Sequence, residues 1–393
     1  MMKKAFLLLM LAIVSCGKNN FTKNDSDLFN AKNISKKNIL INKIKIDTLL
    51  FDSIESSYSG FLKIYKNEIN FIDRRFGWFF TFDKNGKLIS KKLGQGGGPK
   101  EINTGYIDAY KRLPNGKHLF IGSSYDVHIH KNDFEREKTF VMKWNFTTKD
   151  HKITLDNLDP LNHKLYSPHY MNFKLEAPSS DEIYFPIEAK HLLFNSFNSK
   201  KYYEDARIFA KLNLNNGKIE TLFGKKSREY LKYKYLGFYD TFDYETDSKG
   251  RFYVSFQPDS LVYVYNKNYK NLYSFGNSGR FKTEFAEFNS KNINNNNEFI
   301  KEANKKKPKT GFYTMIKVFE KQDLLFRSYH KPNSKRSDGL QIYKGTTLVA
   351  DLDVPSWFKV IGYIEPYFYS EAVLSEDELS LKSYRFSLPN LKE

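Results

Sequence analysis

One short pattern recurs along this chain and limits what it can fold into. Residues 60–65 read as a strand, Lys66-Asn67-Glu68 as a turn, and residues 69–73 as a second strand. After Arg74-Arg75-Phe76-Gly77 a third strand covers 78–83, and Lys84-Asn85-Gly86 leads into a fourth over 87–93. The plan returns over 106–140, with turns at Pro114-Asn115-Gly116 and Lys131-Asn132-Asp133, and over 242–275, with turns at Ser248-Lys249-Gly250 and Lys267-Asn268. Aromatic residues suit a pleated, half-buried surface, and Asn, Asp and Gly tolerate turn conformations, so this is strand and turn chemistry. Aligning the second strand of each unit superimposes Phe71, Phe120, Tyr184, Tyr253, Phe326 and Tyr369, roughly 40 to 75 residues apart. Four antiparallel strands per unit at that period predict an all-β fold, a six-bladed β-propeller over residues 38–393.

The last unit, residues 357–388, is short of strand length, whereas residues 38–50 alternate apolar and polar side chains with no partner of their own. The ring closes if that segment completes the final blade, which also hides two sheet edges. Three connections are long: 190–205, 225–236, and the polar stretch 281–310, expected to hold a short helix and a mobile loop. Gly94-Gln95-Gly96-Gly97-Gly98 has no helix behind it, as a phosphate loop needs. It reads as the crossing from an outer strand to the next inner one, using the φ > 0 freedom of glycine.

The N-terminus gives an address. Lys3 and Lys4, an apolar run over 5–14, and Ser15 before Cys16 have the order of a secretory signal over residues 1–15. Ten apolar residues are too few to span a bilayer comfortably. Ile13-Val14-Ser15-Cys16 resembles a bacterial lipobox, which implies a diacylglyceryl group on Cys16 and cleavage just before it. Cys16 is the single cysteine, so the mature fold has no disulfide and no thiolate metal site. Residues 16–37 are polar and read as a flexible tether, giving a protein exported across the inner membrane and lipid-anchored in the envelope, at the outer membrane. The net charge of +18 falls to about +16 without the signal. That address excludes nucleic acid and leaves a glycan, another polyanion or an envelope protein as partner. Basic residues interspersed with acidic ones are equally the mark of a solvated surface.

Phe82-Asp83-Lys84-Asn85-Gly86-Lys87-Leu88, followed by Leu93-Gly94-Gln95-Gly96-Gly97-Gly98-Pro99-Lys100-Glu101, resembles the blade junction of six-bladed propeller lipoproteins of Bacteroidetes, of NHL-like or TolB-like pattern. Here one glycine is extra, Lys100 replaces the last glycine and Ile102 replaces an aromatic residue. The resemblance implies fold and address, and little about chemistry.

Candidate chemistry is sparse. Asp126, His128 and His130 share one face of a strand, but that strand is the third of its unit, far from the axis, and zinc needs three convergent ligands. No metal or other cofactor and no catalytic residue is expected. The first strands carry Asp108, Asp243 and Glu245, from which an all-oxygen calcium site is conceivable. Acidic pairs such as Asp240/Asp243 read as charged surface turns. Strand parity puts the second-to-third loops and the blade crossings on one face, and tight turns such as Asn115-Gly116 on the other. Arg74, Arg75, Asp126, Gln257 and Asp259 on the loop-rich face are the ligand-binding candidates. The resulting reading is a binding or scaffold module. The alternatives are a propeller enzyme of lactonase, lyase or sulfotransferase type, or a subunit of an outer-membrane nutrient-uptake complex.

Overall fold

All six aligned aromatic residues lie in the second strand of a blade of antiparallel strands, and each is buried. The computed structural model describes residues 28–144, 152–154, 156–169, 173–281, 285, 296–334, 337–375 and 380–389. The signal segment and Cys16 lie outside the described residues.

Two strands precede the blades, β1 (Lys36–Ile41) and β2 (Ile46–Leu50). Blade 1 is β3 (Gly60–Tyr65), β4 (Glu68–Asp73), β5 (Trp78–Phe82) and β6 (Leu88–Leu93). Blade 2 is β7 (Ile107–Arg112), β8 (His118–Gly122), β9 (Asp126–His130) and β10 (Arg136–Val141). Blade 3 is β11 (Tyr166–Pro168), β12 (Glu182–Ala189), β13 (Arg207–Asn213) and β14 (Ile219–Lys225). Blade 4 is β15 (Phe242–Thr246), β16 (Phe252–Phe256), β17 (Val262–Tyr265) and β18 (Asn271–Phe275). Blade 5 is β19 (Phe312–Phe319), β20 (Leu324–His330), β21 (Ser337–Lys344) and β22 (Thr347–Pro355). Blade 6 is β23 (Val360–Ile364), β24 (Tyr367–Ser375) and β25 (Ser380–Phe386), completed by β2 as its outermost strand.

Closure thus follows the expected route. β2 pairs antiparallel with β25, Thr48 opposite Tyr384, so the last blade holds both ends of the propeller. The chain then passes to blade 1, where Phe51 packs edge-on against Phe82 at 4.8 Å and Asp52 accepts from the Leu88 amide. β1 does something the pattern did not suggest: it adds parallel to β22 as a fifth strand of blade 5. The residues before it are also engaged. Leu28 is buried, Phe29 meets Tyr263 at 5.0 Å, and the Ile34 amide donates to the Ser274 carbonyl. The packed chain therefore begins by Leu28, within the segment read as tether.

The crossing from β6 to β7 is built as expected. Gly94 and Gly96 take φ of +150° and +154°, and Glu101 accepts from the Gly98 amide. A Cβ on Gly96 would lie 2.1 Å from the Glu101 carboxylate. The expected helix in the long insertion is α2 (Asn296–Lys306); most of the insertion before it lies outside the described residues. A shorter helix, α1 (Lys200–Asp205), sits between β12 and β13. Among the described residues no helix is long and apolar enough to cross a membrane.

Candidate functional site

The innermost strands carry charge where they face the axis. Side chains alternate along a strand, so Phe61, Lys63 and Tyr65 of β3 point one way. With residues of every other blade they wall a central cavity of about 670 Å³. Blade 3 supplies its share from outside β11: Glu176 pairs with Tyr184 of β12, continuing the inner strand and placing Lys174 and Glu176 on the wall.

These charges form a network across blades. Lys111 meets Glu176 at 2.6 Å, and Thr246 also donates to Glu176. Lys174 contacts Asp243 at 3.1 Å and Glu245 at 2.6 Å, and Lys317 meets Glu245 at 2.9 Å. Burial opposes ionisation of Glu245, but Lys174 and Lys317 outweigh it and bring its pKa down to about 2. Burial likewise opposes the charge on Lys174, and Asp243 and Glu245 reverse that, holding its pKa above the ordinary lysine value. Two carboxylates also tie neighbouring blades by their backbones: Asp243 accepts from the Ile316 amide and Glu371 from the Leu62 amide.

The mouth opens at the loop after β16 and at the connections that lead into blades 5 and 6. Trp357, between β22 and β23, is 59% exposed, and its indole lies 5.4 Å from the His330 ring at 16°. Lys307, Lys359 and Gln257 line the cavity with it. A second cavity of about 460 Å³ adjoins the first through Asp108 and Phe173, and is lined by Arg74, Tyr106, Ser123, Tyr125 and Pro168.

The sequence candidates divide among these features. Arg74 lines the second cavity, with Asp108 at 2.7 Å and its Nε donating to the Ile107 carbonyl. The turn that presents it is organised by buried Asp73, which accepts from the Ser57, Arg75 and Phe76 amides. Arg75 is exposed and lines neither cavity. Gln257 lines the central cavity, and its buried Oε1 has no hydrogen-bond partner among the described residues. Asp126 and Asp259 line neither cavity. Asp126 holds His128 at 2.6 Å; Asp259 accepts from the Tyr263 hydroxyl and the Leu261 amide. The loop at Gln257 and Asp259 is also pinned from blade 5. Buried Arg327 donates to the Ser255 hydroxyl and the Asp259 and Ser260 carbonyls, with its guanidinium 3.3 Å from the Tyr313 ring centre.

Two expectations need correcting. Asp240 and Asp243 are not surface turns: Asp240 is paired with Lys226 at 2.7 Å, and Asp243 lies in the cavity wall. The inner-strand lysines, absent from the candidates, supply most of the wall's positive charge. Their signal was period two within β3, β7 and β19, each of which puts a lysine on the axial face. His128 and His130 lie on β9, with His130 turned to the Phe134 carbonyl. Among the described residues no three His, Cys, Asp or Glu side chains group to hold a metal ion.

Against solved structures, the chain is similar to a member of the duf4221 family from Bacteroides vulgatus. The TM-score is 0.60 and the identity 12%, over 89% of this chain and 98% of that one. It is also similar to a protein of Bacteroides fragilis described as a candidate exported protein. There the TM-score is 0.54 and the identity 12%, over 91% and 99% of the two chains. Likeness at that identity shows the fold alone. No protein-family model matches the chain, and no curated protein matches it.

Proposed function

We infer that the protein is a lipid-anchored binding module of the bacterial envelope that takes a small polyhydroxylated ligand into its central cavity. The observation that carries this is Gln257. A buried amide oxygen without a donor costs about 1–3 kcal/mol, and a ligand hydroxyl in the cavity would satisfy it. The cavity volume falls in the range of small-molecule sites. Trp357 adds an exposed aromatic face at the mouth, backed by His330, on which the C–H face of a sugar ring can pack. Arg74 and Arg75 are assigned to the rim of the site. Asp126 and Asp259 are assigned to holding the loops that shape it. The envelope address rests on the lipobox-like run ending at Cys16, and the exported description of the Bacteroides fragilis protein agrees with it.

The enzyme reading has less support. Glu245, its pKa brought down to about 2, stays ionised at neutral pH and cannot act as a general acid. Asp108 and Asp243 are already engaged by Arg74 and Lys174.

A screen of neutral and acidic sugars by calorimetry tests the reading. Trp357→Ala and Gln257→Ala should each weaken the ligand found by about tenfold, a loss of roughly 1.4 kcal/mol. Val141→Ser, on an outer strand, should leave it unchanged. A ligand indifferent to both cavity substitutions would place binding elsewhere. Unchanged binding after Arg74→Ala and Arg75→Ala are combined would remove those two from the site.

A further inference from the structure

Four half-buried lysines contribute to the cavity wall from inner strands: Lys63, Lys111, Lys174 and Lys317. Three of them are neutralised in place, Lys111 by Glu176, Lys174 by Asp243 and Glu245, and Lys317 by Glu245. Lys63 has no carboxylate within ion-pair distance and no hydrogen-bond acceptor among the described residues. Glu371, on the same wall, makes no ion pair with it; its Oε1 accepts from the Leu62 and Ala372 amides. A half-buried ammonium among other cations is costly unless something opposes its charge.

We propose that the wall at Lys63 is an anion subsite of the cavity, taking a carboxylate, sulfate or phosphate group of the bound ligand. This rests on the reading of the cavity as the binding site and adds the ligand's charge to it. Burial pushes the Lys63 amine below the ordinary lysine pKa, Glu371 opposes this, and Lys317, Lys174 and Lys111 add to it. A bound anion would reverse that balance. Of these four lysines, Lys63 alone lacks a carboxylate in contact; Lys307 and Lys359, which also line the cavity, are exposed to solvent. A lysine suits this place as a point charge with rotatable donors, able to follow an anion whose geometry the rigid strand does not dictate. Taken with the free acceptor on Gln257, the cavity offers an acceptor for a hydroxyl and a cation for an acid, the chemistry of a sugar acid or sugar ester.

The test uses the full-length protein with glucuronate, sulfate, phosphate and glucose as probes, against chloride at matched ionic strength. At least one of the three anions should raise the melting temperature above the chloride control. It should also protect Lys63 severalfold from acylation, read by peptide mass spectrometry. Lys63→Met should weaken that anion at least tenfold, and Lys63→Arg should retain most of the binding. Equal protection of Lys63 by glucose would keep the cavity as a binding site and overturn the anion subsite alone. Unchanged anion affinity in Lys63→Met would also overturn it. So would failure of every anion to stabilise or protect the wild type, which needs no variant to fold. The cavity reading fails separately, if ligands from the sugar screen ignore Trp357→Ala and Gln257→Ala.

Discussion

Glu245 shows how one side chain in the cavity wall carries both stability and site geometry. Its folded pKa of about 2 lies below the ordinary 4.5, so the unfolded state binds more protons between those values. The stabilisation is therefore complete above about pH 4.5 and is lost as pH falls through about 2. Glu245→Gln leaves Lys317 without its carboxylate and Lys174 with Asp243 only. Removing one partner of a buried ion pair costs about 3 kcal/mol, so denaturant unfolding at pH 7 should show a loss of that order. The gap between wild type and variant should close as the pH is taken from 4.5 towards 2. A gap that stays constant over that range would mean Glu245 contributes by packing, not by charge. Only part of this residue's role was legible in the sequence. The sequence reading put Asp243 and Glu245 on a first strand, but their partner Lys174 falls between 141 and 181. The strand there, β11, is only three residues long, too short to read from alternation, and Lys174 lies outside it. Likewise Gln257 and Asp259 looked equivalent in one loop. What separates them is Arg327, some seventy residues away, which fixes the backbone and so decides which side chain meets the cavity.

At the scale of elements, β1 and β2 lie close in sequence and differ in what they hold. β2 closes the ring: Leu49 is 4% exposed and packs with Leu62, Phe80 and Phe82 of blade 1 and Leu381 of blade 6. β1 lies outside a blade that already has four strands, and its residues before Ile41 are exposed. Leu49→Ala should therefore cost about 2–4 kcal/mol, the usual range for truncating a buried leucine. Leu40→Ala, at an exposed position, should stay within about 0.5 kcal/mol. Equal losses by chemical denaturation would show that the ring is not closed through β2. The alternation over residues 38–50 announced a strand without a partner, and the short last unit announced a blade short of a strand. Matching the two was enough to place β2. It could not place β1, whose neighbour β22 already belongs to a complete blade, and parallel pairing leaves no hairpin turn to read.

The whole molecule is a ring whose charged interior was invisible as a unit, because its members come from six blades spread over about 310 residues, from Lys63 to Glu371. The fold was legible because it repeats; the wall is not a repeat, since blades 1, 2 and 5 present lysines where blade 4 presents acids. The proposed address follows a different logic, resting on the first sixteen residues of the sequence. With packing established by Leu28, eleven residues separate it from Cys16. At the covalent limit of about 3.6 Å per residue such a segment reaches about 40 Å, so an anchored propeller would stay near the bilayer. There the +16 of the mature chain would meet anionic head groups, an attraction that salt screens within about 10 Å at 0.1 M. Two forces could thus hold the protein at a membrane, and they separate under salt. Wild-type protein should stay in the membrane fraction through a wash at about 0.5 M salt, because acyl chains are indifferent to ionic strength. Cys16→Ala should wash off, with the propeller's melting temperature unchanged. Mass spectrometry of the wild-type N-terminus should find Cys16 first and acylated. Retention of Cys16→Ala after the salt wash would mean that something other than the lipid anchors the chain.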